Sequence, residues 1–184
     1  MTSKNILILT GSPRHNGNSG MMAEAFAKGA ESVGHVVTKF DTTRRDISGC
    51  TACKACWSNG KPCVVEDDFN QLFPLLEAAD VLVFATPLYW FSFPAQIKAA
   101  MDRMYCYLGK NCKRPLKIKE SLLMVCGADD DVKIFDGITA TYQEIVHYMK
   151  WVDRGMLIIP NVNEKGAIKE TDALARAEEL GKSL

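Results

Sequence analysis

Hydroxyl, amide and guanidinium side chains crowd the segment from Gly11 to Ser19, directly after an apolar run, Ile6-Leu7-Ile8-Leu9. The run reads as a buried strand, and a helical pattern opens near Ser19 with Met21, Met22, Ala25 and Phe26. Strand, polar loop and helix N-terminus in that order make an anion site. The first N–H groups of a helix lack intrahelical partners, and its dipole favours negative charge there. Ser12, Asn18 and Ser19 can add side-chain hydrogen bonds, and Arg14 a charge-assisted one. No Gly-Lys-Ser/Thr follows the strand and no Gly-x-Gly-x-x-Gly opens the helix, which argues against a P-loop and a dinucleotide fingerprint. Hydroxyls and an amide suit a terminal monophosphate better than a pyrophosphate. His15, in the same loop, either touches the anion or faces solvent.

A second loop, Thr86-Pro87-Leu88-Tyr89-Trp90-Phe91-Ser92-Phe93, follows another apolar strand and is packed with aromatics. An exposed aromatic loop needs an apolar partner. A flat, polar-edged ring system satisfies both stacking faces and backbone hydrogen bonds. Tyr89 and Trp90 are candidates to contact such a ring, with packing on the core or at a subunit interface as the alternative. For Phe91 and Phe93 that packing role is the expectation.

Sulfur chemistry concentrates elsewhere. Cys50, Cys53 and Cys56 place three thiols within seven residues, and Cys63 follows a Ser58-Asn59-Gly60 turn. Zinc sites usually use two separated pairs. Three cysteines at two-residue gaps plus a fourth resemble cubane iron–sulfur ligation, in which one loop wraps most of a cluster. A loop of free thiols is the third reading, and the spacing alone leaves all three open.

The elements that must position these groups alternate along the chain. Strands are expected at 6–10, 35–40, 80–86, 121–126 and 156–159, and helices at 19–33, 69–79, 94–104, 134–151 and 171–180. Gly34 is placed to end the first helix, Pro94 suits the first turn of the third, and Pro74 signals a kink or a late start in the second. Asp129 to Asp131 are candidate caps for the fourth helix. Lys110 to Lys119 is a basic connector. Five strands alternating with five helices call for an α/β three-layer sandwich, a flavodoxin-like parallel sheet of order 2-1-3-4-5. Its ligand crevice lies where strands one and three diverge, so the loops after Gly11 and Thr86 meet there. The 184 residues are expected to form one such domain, with a cysteine-rich excursion at 41–67 whose length marks it as functional.

Composition sets outer bounds. The 22 basic and 22 acidic residues cancel, which leaves no electrostatic footprint for nucleic acid or anionic lipid. No apolar run approaches the roughly 20 residues of a membrane helix. No signal peptide is visible ahead of the first strand, and the expectation is that the seven cysteines are reduced thiols or metal ligands in a cytoplasmic setting.

Ser12-Pro13-Arg14 followed by Gly17-Asn18-Ser19 resembles the FMN-phosphate loop of the NAD(P)H-dependent FMN reductase family. Thr86-Pro87-Leu88-Tyr89, with Pro94-Ala95-Gln96-Ile97-Lys98 and Asp102-Arg103, resembles that family's second flavin loop and its helix. The resemblance runs from the first strand to about Arg103 and weakens beyond it. It implies bound FMN, reduced by a nicotinamide cofactor, with Pro87, Leu88, Tyr89 and Trp90 on one side of the flavin and Cys126 to Asp129, Gly127 among them, on the other. The cysteine spacing resembles the compact motif of the iron–sulfur flavoprotein branch, which implies Cys50, Cys53, Cys56 and Cys63 as ligands of a [4Fe–4S] cluster.

Two functions follow. One is an oxidoreductase that takes hydride from NAD(P)H through FMN to a small acceptor such as a quinone, a flavin or a nitro or azo compound, with no obligatory protein acid or base. The other is an electron carrier exchanging single electrons between cluster and FMN. A soluble flavodoxin-like carrier docking on basic partners would be markedly acidic, and this chain is neutral. A redox-sensing protein on the same fold is a third class. Exposed aromatics and the excursion lead to the expectation of a homodimer or homotetramer.

Overall fold

The computed structural model describes residues 2–58, 60–108 and 112–184. Asn59 of the expected turn and Lys110 of the expected connector lie outside the described residues.

Five strands, β1 (Asn5–Thr10), β2 (Val36–Asp41), β3 (Val81–Pro87), β4 (Glu120–Cys126) and β5 (Val152–Ile159), alternate with α1 (Asn18–Ser32), α2 (Phe69–Ala78), α3 (Ala95–Arg103), α4 (Asp136–Met149) and α5 (Ala173–Lys182). All strand pairs are parallel, in the order β2-β1-β3-β4-β5. The central strands are apolar on both faces because helices cover both. Side chains alternate between the faces. Ile6, Ile8, Val83 and Met124 enter one core with Met22 and Phe26 of α1 and Ala173 and Ala177 of α5. Leu7, Leu9, Phe84 and Val125 enter the other, with Leu72 of α2, Ile97 of α3 and Tyr142 of α4.

Local signals behave largely as expected. Gly34 adopts φ +94° and donates its N–H to the Glu31 carbonyl, ending α1. Asp131 accepts a hydrogen bond from the Lys133 N–H (2.9 Å) and starts the short turn that leads into α4. Three boundaries differ. α2 runs through Pro74 with no late start, so one intrahelical hydrogen bond is forgone. Pro94 stands just before α3 rather than in its first turn. β5 begins at Val152, four residues before the apolar run, because the polar half of this edge strand is exposed and so lacks a hydrophobic pattern. Gly155, at φ +117°, sits where the β4–β5 register shifts.

α1 and α5 touch backbone to backbone. A Cβ built on Gly29 would collide with the Glu178 carbonyl, and one on Gly181 with the Phe26 carbonyl.

Candidate active site

The C-terminal ends of β1 and β3 lie side by side, with Thr10 opposite Ala85. Gly11 continues the pairing, its N–H donating to the Ala85 carbonyl (3.3 Å). A Cβ there would lie 2.5 Å from Ile97 Cδ1 and 3.1 Å from Thr86 Oγ1, so a larger residue would push the Ile97 side chain of α3 out of this corner. The loop then curls on itself: the Arg14 N–H reaches Ser12 Oγ (3.3 Å) and the Gly17 N–H reaches the Arg14 carbonyl (3.0 Å). In α1 the Met21 N–H bonds to the Gly17 carbonyl, which leaves the amides of Asn18, Ser19 and Gly20 ahead of that bond without an intrahelical acceptor.

Eight of the nine cofactor-contact residues expected from sequence line one cavity of about 110 Å³: Ser12, Arg14, Asn18, Ser19, Pro87, Leu88, Tyr89 and Gly127. Ser19 is 1% exposed, and its Oγ has no hydrogen-bond partner among the described residues. A buried hydroxyl left unpaired costs stability, so its presence at an anion-favouring helix end points to a ligand oxygen. Asn18 does something else with its side chain. Its Nδ2 donates to the Val162 and Glu164 carbonyls (both 2.9 Å), and its Oδ1 accepts from the Gly166 N–H (2.9 Å). The amide pins the loop after β5, and a ligand can meet only the Asn18 backbone N–H. Arg14 likewise ties one nitrogen to that loop, Nη1 donating to the Asn163 carbonyl (2.7 Å).

Trp90 is the ninth, and the structure places it outside the cavity. Trp90 and Phe91 are the central residues of a two-residue turn, at φ +46° and +61°, closed by reciprocal Tyr89–Ser92 backbone bonds (3.1 and 3.0 Å). Such turns favour Asn-Gly; here they present Trp90 at 93% exposure and Phe91 at 56%. Phe91 therefore does not pack on the core, whereas Phe93 does, edge-on to Phe84. His15 belongs to the outer groove with Lys28 and Lys39, not to the cavity.

Cys126, Ala128, Val162 and Asn163 complete the walls. Gly127 is tightly seated, since a Cβ would lie 2.9 Å from Phe135 Cζ. Burial pushes the Cys126 thiol up to about 12, which keeps it neutral. Val162 and Asn163 were missed in the sequence. Their only signal is that they follow β5, on the same carboxyl edge of the sheet.

Among the described residues the excursion contains two short 3₁₀ turns, Thr42–Arg44 and Ala55–Trp57. All seven cysteines are unpaired. Cys50, Cys53, Cys56 and Cys63 line one small cavity with Arg103, Tyr105 and Cys106. Ala52 and Lys54, on either side of Cys53, both have positive φ (55° and 60°), so the loop winds tightly around Cys53. Among the described residues no three His, Cys, Asp or Glu side chains converge closely enough to hold one metal ion. A lone zinc needs four donors about 2.3 Å from one point. A cubane interposes four irons, so its thiolates stand farther apart around a shared space. The cavity is about 20 Å³, so a cluster requires the exposed arc carrying Cys50 and Cys53 to move outward. Four thiols on one loop are nevertheless the kind of donor set that iron–sulfur clusters use. Cys106 and Arg103 were not assigned to this cavity by the sequence pattern, because Arg103 ends α3 and Cys106 sits in the 3₁₀ turn after it, far along the chain.

Asp67 fastens the excursion. Its side chain is 5% exposed and paired with Arg103 (2.8 Å), and it accepts from the Ser48 and Phe69 N–H groups (both 3.0 Å). Burial pushes its carboxyl up, but the hydrogen bonds from Arg103, Ser48 and Phe69 outweigh that and hold it below the ordinary aspartate range. A depressed value means the stabilisation is fully present above about pH 4 and is lost as the pH falls through the folded value. Asp67→Asn is therefore expected to cost about 3 kcal/mol at pH 7. The gap from wild type should close as urea midpoints are followed down toward pH 3.

Residues 4–163 match the family NADPH-dependent FMN reductase. The chain belongs to that family. The iron-sulfur flavoprotein of Archaeoglobus fulgidus is 37% identical over 99 residues, 54% of this chain and 44% of that protein. The iron-sulfur flavoprotein of Methanosarcina thermophila is 28% identical over 160 residues, 87% of this chain and 79% of that protein. Among solved structures, an NAD(P)H:quinone oxidoreductase from Methanothermobacter marburgensis superposes with TM-score 0.74 at 18% identity, over 99% of this chain and 96% of that one. The likeness at that identity is one of fold. For this member of the FMN reductase family, the exposure of Trp90 carries a prediction: Trp90→Ala should leave FMN affinity within about twofold in a fluorescence titration, since removal of a side chain outside the pocket has small effects.

Proposed function

We propose that the chain binds FMN in the cleft between the β1 and β3 loops and uses it to oxidise NAD(P)H. The observation that carries this reading is the buried, unpartnered Ser19 hydroxyl at the N-terminus of α1, inside a cavity walled by both loops. Ser12, Ser19 and the first amides of α1 would hold the phosphate, and Arg14 would balance its charge. Pro87, Leu88, Tyr89, Gly127 and Ala128 would flank the ring at the rim. When bound, the flavin supplies the redox chemistry, taking hydride from the nicotinamide and giving electrons to an acceptor. The protein's own part is to bind and orient. The cavity is lined by no carboxylate and no histidine among the described residues, so no proton-transfer role is assigned. A quinone, a free flavin or a nitro or azo compound is the acceptor class. Anaerobic addition of NADH or NADPH to FMN-loaded protein should bleach the flavin band within seconds. A flavin that stays oxidised with both nucleotides, yet is reduced by a ferredoxin, would overturn the reductase reading in favour of a carrier.

The four-thiol cavity supports a second reading, that the protein also holds a [4Fe–4S] cluster on Cys50, Cys53, Cys56 and Cys63. Iron and acid-labile sulfide assays on anaerobically purified protein test it. We further propose a homodimer or homotetramer that covers Trp90, Phe91 and Tyr148, exposed at 93%, 56% and 69%. Light scattering should show more than one chain per particle.

A further inference from the structure

Arg103 ends α3 and is only 3% exposed despite its charge. Its guanidinium grips both arms of the excursion. Nη1 donates to the Ser48 carbonyl (3.0 Å) and Asp67 Oδ2 (2.8 Å), and Nη2 to Asp67 Oδ1 (3.2 Å) and the Val65 carbonyl (3.4 Å). The Phe69 ring lies 4.7 Å from its Cζ. A purely structural clamp explains those contacts but leaves two observations unexplained. The side chain lines the cavity shared by the four loop cysteines, close enough to Cys63 for their charges to act on each other. Its Nε–H, although buried, has no acceptor among the described residues. Buried donors are usually hydrogen-bonded, and the Cys63 sulfur lies within interaction range of this guanidinium, so a sulfur in the cavity is the natural acceptor for the Nε–H.

We infer that Arg103 is the residue that positions the cluster and sets its potential, with its Nε–H donating to a sulfur of a [4Fe–4S] group on the four cysteines. The inference rests on the cluster reading above. Four thiolates leave such a cluster negatively charged, and reduction adds one more negative charge. A nearby cation and an N–H donor to sulfur therefore favour the reduced form and raise the potential. Arginine stays protonated at any working pH, so this bias does not titrate away as a histidine's would. Asp67 sets the opposite sign against it. Its carboxylate offsets part of the Arg103 charge that the cavity feels.

The series Asp67→Asn, wild type, Arg103→Lys and Arg103→Gln separates tuning from scaffolding. The measurement is the midpoint potential from an EPR-monitored titration of anaerobically purified protein, with iron and sulfide counted in each sample. D67N should lie above wild type, because the cation is left uncompensated. R103K, which keeps the charge and loses the Nε donor, should lie below, and R103Q lower still. The expected shift for R103Q is about tenfold in the one-electron equilibrium, ~59 mV. If R103Q fails to fold, the opposite shifts of D67N and R103K carry the same test. A full cluster in wild type with unchanged potentials in D67N and R103K would overturn the inference while leaving the cluster reading intact. Loss of iron from the variants with the residual cluster at the wild-type potential would reduce Arg103 to a clamp and also overturn it. Wild-type protein that holds no iron would overturn the cluster reading and the inference together.

Discussion

Ser19→Ala is expected to raise the stability of the flavin-free protein and to weaken its hold on FMN. The hydroxyl is buried and unpaired, so its removal relieves a desolvation cost of about 1–3 kcal/mol. The same atom, with phosphate present, would make a hydrogen bond to a charged group, worth about 1.5–3 kcal/mol, so affinity should fall roughly 10- to 100-fold. Opposite signs in the two measurements are the signature of a group kept for its ligand. A structural serine would show destabilisation in both. Ser12→Ala combined with Arg14→Ala removes the other side-chain contacts proposed for the phosphate. That double variant should bind FMN about 100-fold more weakly or worse and purify colourless, with unchanged far-UV circular dichroism. Stoichiometric flavin in the double variant would disconnect this loop from the cofactor.

Gly29→Ala is expected to destabilise the protein by about 3 kcal/mol or more, while Gly20→Ala in the same helix stabilises it by roughly 0.5–1 kcal/mol. The difference lies in what a Cβ would meet. At Gly20 there is nothing within 4 Å, and the alanine lowers only the entropy of the unfolded chain. At Gly29 the methyl would strike the Glu178 carbonyl, which is backbone in a packed helix and cannot rotate away. Gly181→Ala meets the Phe26 carbonyl from the other side and should behave like Gly29→Ala. For a chain of this length the loss corresponds to a fall in Tm of about 6–12 °C by calorimetry. An unchanged Tm in both variants would mean that α1 and α5 do not pack as close as described.

The cleft and the cysteine loop differ in how far each could be read from residues alone. The anion loop is local: strand, hydroxyls and helix N-terminus are contiguous, so chain order dictates their meeting. The place for a ring beside it was also legible, because parallel topology brings the loop after β3 beside the loop after β1. Residue roles within the loop were less so. Asn18 looked like a phosphate ligand, yet its amide is spent on three backbone groups between Val162 and Gly166, a contact across more than 140 residues. Trp90 looked like a ring contact, but a tight turn with two positive φ values points it outward. Neither outcome has a local signature.

By itself the sequence determined the alternating elements, the strand order and the two loops that meet at the crevice, since periodicity and chain order are properties of neighbours along the chain. It also determined that four thiols lie in one loop. Only the tertiary structure decided that Arg103 at the end of α3 and Cys106 in the turn after it close the cavity those thiols line, and that Ser19 rather than Asn18 is left with an unpaired hydrogen-bonding side chain. The reason is physical. Burial and hydrogen-bond saturation depend on which distant groups arrive at a site, and arrival is set by packing the whole sheet and its helices at once.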